Sequence, residues 1–457
     1  MNVSGASDQV QSSSVAEPSV AELPAAELED GDAGFGERTL RKAAWRLIPL
    51  LGLGYAVAYM DRANVSYAAL QMNRDLHFNA AVYGFGAGVF FVSYAVCEIP
   101  SNILLLRFGA RRWIARILLT WGVLAAAMLF VRTPASFYTL RFLLGVAEAG
   151  FFPGALYYLS LWFPEDIRAR AISRFYVAFP LSQVLMGLIA GALLGLNGRL
   201  GLKGWQWLFL VEALPAVVLG VVVLRALPDS PETAKWLTPD ERSWLLARLE
   251  ADRHAAGYGR HGSHHGLAAV LADGRVWLLG IYSLCSLGAF YAYSFSAPAI
   301  VQSVTGRSAG GVGLVLALIS LLGAIAMVVT AQISDRSGVK KPFVVCMCLL
   351  SGFGYLVAGL GHSPWVVLPA LLLSAMAYYG MQGPALGMFT TFLSGPAAAL
   401  GIAAINMMGI VGGFLGPNWM GWSITRTGSY HWGLSLLVVP YVVAAVFVLG
   451  VNRKTAL

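Results

Sequence analysis

The sequence predicts an all-α polytopic membrane protein with twelve transmembrane helices in two six-helix halves. Of its 457 residues, 58% are hydrophobic and 12% are charged, whereas charged residues make up about 25% of an ordinary soluble domain. Apolar runs of about 20 residues, each long enough to cross a bilayer as a helix, recur along the chain. These runs are apolar all round, whereas the strands of a membrane β-barrel alternate in polarity. The composition excludes a soluble enzyme.

Twelve apolar runs can be placed, six on each side of a polar segment. The first six lie at 45–70, 82–106, 113–131, 137–161, 175–196 and 205–227. The second six lie at 276–301, 310–333, 342–360, 365–393, 397–424 and 432–451. The 51 glycines agree with this assignment, because small residues let helices approach closely in lipid.

The polar segments complete the domain organisation. We expect a disordered cytoplasmic tail at 1–40, an N-terminal bundle at 41–227, a cytoplasmic linker at 228–275, a C-terminal bundle at 276–451 and a cytoplasmic tail at 452–457. The first segment is rich in Ser, Ala and Glu and lacks the charged and apolar regions of a signal peptide.

The linker contains two further patterns. Thr238-Pro-Asp-Glu241 has the form of a capping box and predicts an amphipathic helix along the membrane face. His261, His264 and His265 could bind a metal, but a flexible linker rich in His and Gly is the simpler interpretation.

The basic residues predict the orientation. Of the 31 Lys and Arg residues, 23 lie in segments on the side of the termini and six on the other side. Because cytoplasmic loops carry the excess of Lys and Arg, we expect an inner-membrane protein with both termini in the cytoplasm. The net charge of +8 then reflects topology and does not indicate a nucleic-acid partner.

Cysteines offer no sign of a cofactor. Cys97, Cys285, Cys346 and Cys348 all fall inside predicted spans, where they are expected to act as small packing residues. We therefore expect no metal, no disulfide and no cofactor, and we expect a monomer in the lipid bilayer.

Charges inside the spans point to a functional site. We identify four well inside, Asp61, Arg62, Arg141 and Glu148, and each costs roughly 2.5–3.5 kcal/mol at the bilayer centre unless it is paired or hydrated. Arg141 and Glu148 are seven residues apart and so share a helix face, whereas adjacent Asp61 and Arg62 point about 100° apart. The four charges either line a cavity or form a fixed cluster that ties the first and fourth spans together.

Arg62 is the best candidate for an anion ligand, because a guanidinium offers a flat fork of donors and stays charged. Carboxylates in a low dielectric, such as Asp61 and Glu148, can exchange protons near neutral pH. Uncharged polar residues in both halves are compatible with a polar pocket at mid-membrane. They are Tyr59, Tyr94, Gln183, Tyr291, Gln382 and Asn406.

A loop motif occurs once in each half. Arg107-Phe-Gly109 follows the second span, and Asp335-Arg336-Ser-Gly338 follows the eighth. Duplicated helical bundles place their binding site between the halves and rock around it. The loop residues either take part in gating or brace the helix ends without touching substrate.

This repeated loop resembles the signature of the major facilitator superfamily, with Leu106 at the usual acidic position of the first copy. Tyr59-Met-Asp61-Arg62-Ala-Asn64, together with Gly145-Val-Ala-Glu148, resembles the anion:cation symporter family. That family includes carriers of galactonate, tartrate, phthalate and hydroxyphenylacetate, and the segments 109–116 and 157–164 are most similar to the tartrate and hydroxyphenylacetate branch.

The resemblance implies a proton-coupled importer of a small organic anion, a tartrate-like hydroxy acid, an aromatic acid or a similar acid. It implies that Arg62 binds the substrate carboxylate and that Asp61 and Glu148 carry protons. We assign Arg141, which shares a helix face with Glu148, to the same proton-coupling group. It further implies that Tyr59, Tyr94, Gln183 and Asn406 contact the anion. The vesicular glutamate transporters of the same family carry a second anion-binding Arg in the seventh span, and the span 276–301 contains none. A doubly charged substrate would therefore depend on Arg62 and on hydroxyl or amide donors.

Two other classes of function stay open. An exporter or exchanger of drugs or metabolites ranks lower, because the fifth span lacks the usual glycine-proline antiporter motif. A membrane enzyme or sensor ranks lower still, since the sequence has no evident nucleophile–base pairing, metal-ligand spacing, phosphate loop or signalling domain.

Overall fold

The computed structural model describes residues 30–255, 272–392 and 398–451, and the regular elements in these ranges are helices. The N-terminal half contains α1 (Asp30–Asp75), α2 (Ala80–Phe108), α3 (Ala110–Ala127), α4 (Pro134–Glu148), α5 (Phe151–Ser160), α6 (Glu165–Tyr176), α7 (Ala178–Leu194) and α8 (Gly204–Ala226). The linker contains α9 (Pro239–Ala255). The C-terminal half contains α10 (Gly274–Thr305), α11 (Ala309–Ser337), α12 (Lys341–Leu360), α13 (Pro364–Phe392), α14 (Ala398–Thr427), α15 (Tyr430–Ser435) and α16 (Val438–Gly450).

Eleven helical stretches within the described residues are long and apolar enough to cross a membrane. They coincide with eleven of the twelve predicted spans. The remaining prediction, 397–424, also forms a helix, α14, which packs against α10 and α2. The architecture is therefore all-helical, as the sequence predicts.

The two halves repeat one packing pattern. In the N-terminal half α3 packs against α8, α2 against α4, and α1 against both α7 and α8. In the C-terminal half α12 packs against α16, α11 against α13, and α10 against both α14 and α16. The same neighbours recur in the same order, which is the internal repeat that the loop motif indicated.

The first helix extends beyond the predicted bundle boundary. The tail predicted over 1–40 is helical from Asp30 onward, and its first 29 residues lie outside the described ranges. Gly36 packs against Trp244 of α9, and Lys42 donates a hydrogen bond to Glu241 at 2.6 Å. The early start thus has a physical reason, because the linker helix covers this end of α1.

At the start of α9, the Thr238 backbone N–H donates to Glu241 Oε2 at 2.9 Å, and the Glu241 N–H donates to Thr238 Oγ1 at 3.2 Å. The reciprocal bonds are those of a capping box. His261, His264, His265 and the tail at 452–457 lie outside the described residues.

The predicted fourth span is broken in its middle. Helix α4 ends at Glu148, and α5 begins at Phe151 after Gly150, whose φ is +88°. Ser101 Oγ donates a hydrogen bond to the Ala149 carbonyl at 2.6 Å. The break is tolerated because the freed carbonyl finds this partner within the protein. Because of the break, Glu148 is the last residue of α4. The negative end of the α4 helix dipole disfavours the ionised form of its carboxyl group.

The halves meet closely through glycines near the end of the bundle that lies away from the described termini. A Cβ atom on Gly187 of α7 would lie 2.6 Å from the Gly313 carbonyl of α11, and one on Gly84 of α2 would lie 2.5 Å from the Pro417 carbonyl of α14. Tyr83 Oη also donates to the Phe295 carbonyl across the interface at 2.8 Å. Only glycine permits this backbone approach.

Candidate functional site

Arg62 lies at the centre of an aromatic cage formed by α1 and α2. Its guanidinium carbon is 5.0 Å from the ring centroid of Tyr59, 5.0 Å from that of Tyr94 and 5.4 Å from that of Phe90. Aromatic faces attract a cation at these distances. The cage forms because Tyr59 lies one turn before Arg62 on α1, while Phe90 and Tyr94 lie one turn apart on the facing side of α2.

Glu148 is the ionic partner of Arg62. Arg62 Nε donates to Glu148 Oε1 at 2.8 Å, and a terminal nitrogen contacts the same oxygen. The other oxygen, Oε2, is buried and receives no hydrogen bond from the described residues. Glu148 is 1% exposed, whereas Arg62 is 13% exposed. The pair therefore joins α1 to the break between α4 and α5, and half of the carboxylate stays unsatisfied.

A second carboxylate, Glu98, lies one turn beyond Tyr94 on α2 and is 9% exposed. Asn406 of α14 directs its amide nitrogen at Glu98 Oε1, 3.5 Å away, a contact at the limit of a hydrogen bond. Tyr291 of α10 lies close to the Arg62 guanidinium and packs on Phe91 with centroids 4.4 Å apart. The C-terminal half thus reaches this site through Asn406 and Tyr291.

Gln183 lies away from the guanidinium, in a cavity of about 50 Å³ between the halves. The polar side chains around this cavity include Tyr67, Gln183, Tyr293, Ser294, Tyr355 and Tyr379. Gln183 Oε1 and the hydroxyls of Tyr293 and Tyr355 are buried without a hydrogen-bond partner among the described residues. The cavity has room for several water molecules, which such groups require. Gln382 instead donates to the Tyr378 carbonyl of its own helix at 3.4 Å.

Asp61 faces a different side of α1 from Arg62. Its Oδ1 accepts from Asn64 Nδ2 at 3.0 Å, and its Oδ2 accepts from Trp121 Nε1 of α3 at 2.9 Å. Asp61 is 3% exposed. The predicted 100° separation therefore places Asp61 inside the N-terminal half, while Arg62 faces the other half.

Arg141 is also held inside the N-terminal half. Its Nε and one terminal nitrogen donate to the Gly86 and Ala87 carbonyls of α2, each at 3.3 Å. Its guanidinium carbon lies 4.8 Å from the Phe90 ring centroid. Although Arg141 and Glu148 share a face of α4, the ion pair of Glu148 is with Arg62. Arg141 thus braces α4 against α2, directly behind the aromatic cage.

The sequence analysis missed two buried acids. Glu98 lies in the predicted span 82–106 and Glu212 in 205–227, yet only four intramembrane charges were identified there. Glu212 is 5% exposed, and neither of its carboxylate oxygens has a hydrogen-bond partner among the described residues. The cost of a charge in lipid, applied evenly to all twelve spans, would have identified both residues.

The repeated loop residues lie at helix ends away from Arg62. Gly109 joins α2 to α3 with φ +86°, and Gly338 caps α11 with φ +67°. Arg107 lies over the Phe108 ring at 5.7 Å, and Asp335 and Arg336 are exposed. The neighbouring Arg111 contacts Asp229 at the start of the linker at 3.3 Å. The first loop is therefore tied to the linker and not to the cage.

Comparison with known proteins agrees with this architecture. Residues 51–417 match the family model described as Major Facilitator Superfamily. The chain is 45% identical over 92% of its length, and 92% of the relative's, to a protein of Agrobacterium vitis named "Putative tartrate transporter". It is 37% identical to the "Quinolone resistance transporter" of Acinetobacter baumannii over 89% of this chain and 93% of that one.

Among solved structures, a bacterial homologue of the human lysosomal transporter Spinster superposes with a TM-score of 0.72 at 17% identity. The match covers 90% of this chain and 97% of that chain. The family match and the named relatives make the chain a transporter and not an enzyme. The chain belongs to the Major Facilitator Superfamily.

Proposed function

We propose that this transporter imports a small carboxylate across the bacterial inner membrane together with protons, by alternating access, with both termini in the cytoplasm. The observation that carries the proposal is the Arg62–Glu148 ion pair inside the aromatic cage. Arg62 is the partly exposed member of this pair, and a substrate carboxylate would make the same bonds to its guanidinium that Glu148 makes here. Glu148 and a substrate anion would therefore compete for one cation.

Protonation of Glu148 resolves this competition in favour of substrate. A neutral carboxyl group bonds a guanidinium far more weakly than a carboxylate does, so the proton frees Arg62. The position of Glu148 at the C-terminal end of α4 and its unsatisfied Oε2 both favour the neutral form. Substrate at Arg62 and a proton at Glu148 then favour each other's binding, as reciprocal linkage requires.

Release follows the reverse order. After the carrier has opened to the cytoplasm, the anion leaves Arg62, and the guanidinium again attracts the ionised form of Glu148. The proton then departs, and the ion pair between α1 and α4 reforms. This cycle uses Arg62 as the anion ligand and Glu148 as the main proton carrier, and Asp61 contributes a second proton site.

Contacts from the C-terminal half suggest how the site changes when the two halves move. Asn406 approaches Glu98 and Tyr291 approaches Arg62 from helices that move with the other half. The close glycine contacts at the far end of the bundle represent a closed side. Rocking of the halves would separate these contacts and bring Gln183 and its cavity toward the outer solution.

The cage and the relatives support the proposed substrate class. Arg62 offers one permanent cation, and Tyr59, Tyr94 and Asn406 offer hydroxyl and amide groups near it. A small acid with hydroxyl groups or an aromatic ring satisfies these contacts, and the relative named for tartrate falls in this class.

Drug export is the second candidate. The relative named for quinolone resistance favours it, because that protein matches nearly the whole chain. An exporter driven by protons exchanges its cargo against them, so the two candidates respond to opposite pH gradients.

Purified protein in liposomes separates the two candidates. We expect labelled tartrate-like or aromatic acids to accumulate when the interior is alkaline, and an uncoupler should abolish the accumulation. Accumulation of a fluoroquinolone with an acidic interior, without uptake of any tested acid under the opposite gradient, would instead establish the exporter.

A further inference from the structure

We propose that Asp61 and Glu212 form a second proton site inside the N-terminal half, in which Asp61 is ionised and its charge keeps one exchangeable proton on Glu212. The two acids lie on a different side of α1 from the Arg62 cage. The inference extends the proposed function, because it gives Asp61 a partner and places one transported proton away from the substrate.

Both carboxyl groups of the proposed site are buried. Asp61 is 3% exposed and Glu212 is 5% exposed, and Asn64 lies between them. Two buried carboxyl groups that both adjoin Asn64 disfavour each other's ionisation in a low dielectric, so their titrations are coupled. Ionisation of one carboxyl group therefore favours a proton on the other.

The hydrogen bonds assign that proton. Asp61 accepts one bond at each oxygen, from Asn64 and from Trp121, and such donors favour the ionised form. No described residue makes a hydrogen bond of ordinary geometry to either oxygen of Glu212, and the neighbouring Asn64 donates to Asp61 instead. The ionised form of Glu212 is therefore stabilised less than that of Asp61. The proton accordingly rests on Glu212 and the charge on Asp61.

The helices packed against α8 contain few charged groups that would move the proton from Glu212 to Asp61. Of the helices that pack on α8, α1 contributes Asp61 and Tyr67, and α7 has no ionisable side chain. The arginines of α3 lie in its first two turns, and Arg116 lies over the Trp113 ring at 4.0 Å. Arg141 of α4 acts on Asp61 and so favours the charge at that position.

Tyr67 lies near both Glu212 and the cavity between the halves. It lines the cavity of about 50 Å³ between the halves, and it also lies within electrostatic range of Glu212. A proton on Glu212 could pass by this side chain to the cavity when the closed end opens. A purely structural neutral acid would have no need of such an exit.

Infrared spectroscopy of the full-length protein in lipid tests the pair without any transport assay. At neutral pH we expect the carbonyl band of a protonated carboxylic acid, and we expect Glu212→Gln to remove the part of it that Glu212 contributes. Glu232→Gln changes an exposed carboxylate and should leave the band unchanged. In Asp61→Asn the Glu212 band should persist and disappear at a pH lower by about one unit or more, because the like charge is gone.

An unchanged band in Glu212→Gln would mean that Glu212 is ionised and would overturn the proposal. A Glu212 band that titrates identically in wild type and Asp61→Asn would show that the charge of Asp61 does not hold the proton on Glu212, and it would overturn the proposal. A band that neither titrates nor exchanges with deuterium would make Glu212 a fixed structural acid. Failure of the transport proposal, by contrast, would appear only in the liposome measurements.

Discussion

The two halves of the molecule share a packing pattern but differ in the chemistry of their interiors. Where burial is described, the buried charged residues are Asp61, Glu98, Arg141, Glu148 and Glu212, all in the N-terminal half. The buried polar residues of the C-terminal half are serines and a threonine, beside tyrosines such as Tyr293 and Tyr355. The duplicated architecture therefore has two chemically different interiors, one that contains the buried charges and one that is neutral and rich in hydroxyl groups. The proposed function assigns anion binding and proton coupling to the charged half.

This contrast has a consequence for the transport cycle. Charges confined to one half can exchange partners among α1, α2, α4 and α8 without crossing the interface that must open and close. The interface itself relies on glycines and on a few polar contacts, such as Tyr83 to the Phe295 carbonyl. Breaking such contacts costs little compared with separating buried ions.

The largest effect is expected from Arg62→Lys. Lysine keeps the charge but loses the fork that binds a carboxylate through two nitrogens. Loss of charge-assisted hydrogen bonding corresponds to roughly a 10- to 100-fold increase in the substrate Kd, measured by calorimetry. Arg307→Lys, an exposed change in the C-terminal half, is the control and should bind normally. Near-normal substrate binding by Arg62→Lys would show that Arg62 is not the anion ligand and that the charged half does not bind the substrate through it.

An intermediate effect is expected from Gly187→Ala at the interface. The added methyl group would lie 2.6 Å from the Gly313 carbonyl and 3.1 Å from Ala317 Cβ, and overpacking of this kind costs roughly 1–3 kcal/mol. The closed end should open more often, so a cysteine introduced at Ser294 in the cavity should react faster with an impermeant maleimide from that side.

Gly310→Ala is the matched control for this test. It adds the same methyl group nearby, where nothing lies within 4 Å of the new atom. Equal labelling rates in both variants would show that the glycine contacts do not hold the two halves together.

The smallest effect is expected at the surface of the charged half, from Lys42→Ala. Lys42 binds Glu241 at 2.6 Å, and the two side chains are 33% and 16% exposed. Desolvation alone would raise the pKa of Glu241, but hydrogen bonds from Lys42 and from the Thr238 backbone N–H hold that pKa below its usual value. A carboxyl group of this kind stabilises the folded state above the unfolded pKa near 4.3, and the contribution is lost as the pH falls through the folded pKa.

Thermal unfolding of the detergent-solubilised protein should therefore show a loss of about 0.2–1 kcal/mol in Lys42→Ala at neutral pH. The difference from wild type should shrink as the pH falls below about 4. A loss of stability as large as that expected for a buried ion pair would contradict this. It would show that the contact between the linker helix and α1 stabilises the fold more than the exposure of Lys42 and Glu241 indicates.

Most of the fold could be predicted from the sequence, because each membrane span is recognisable from its own residues. Length and polarity identified the helices, and the loop at Arg107 and Asp335 identified the repeat. The break after Glu148 was not foreseen, because Ala149 and Gly150 look like ordinary helix-packing residues until the role of Ser101 is known. The early start of α1 depends on Trp244, about 200 residues away in the chain, which no local pattern reports.

The site was predictable in composition but not in pairing. Arg62, Glu148, Tyr59 and Tyr94 were selected from the sequence, and the structure places them together. Helix periodicity could separate Asp61 from Arg62 but could not show that Arg141 turns to backbone carbonyls. Which carboxylate meets which cation depends on tertiary contacts between α1, α2 and α4.

The proton-coupling role of Glu148 is tested most directly by Glu148→Gln in liposomes. Glutamine imitates the protonated acid and leaves Arg62 available, so the variant should still exchange internal for external substrate. It should not accumulate substrate when a pH gradient is imposed, because position 148 can no longer take up and release the proton that is linked to anion binding at Arg62. Glu232→Gln is the control, since it alters an exposed carboxylate in the linker and preserves the Arg62–Glu148 pair, and it should retain accumulation. Accumulation by Glu148→Gln in response to the pH gradient would contradict the account and would favour a fixed cluster that only ties α1 to α4.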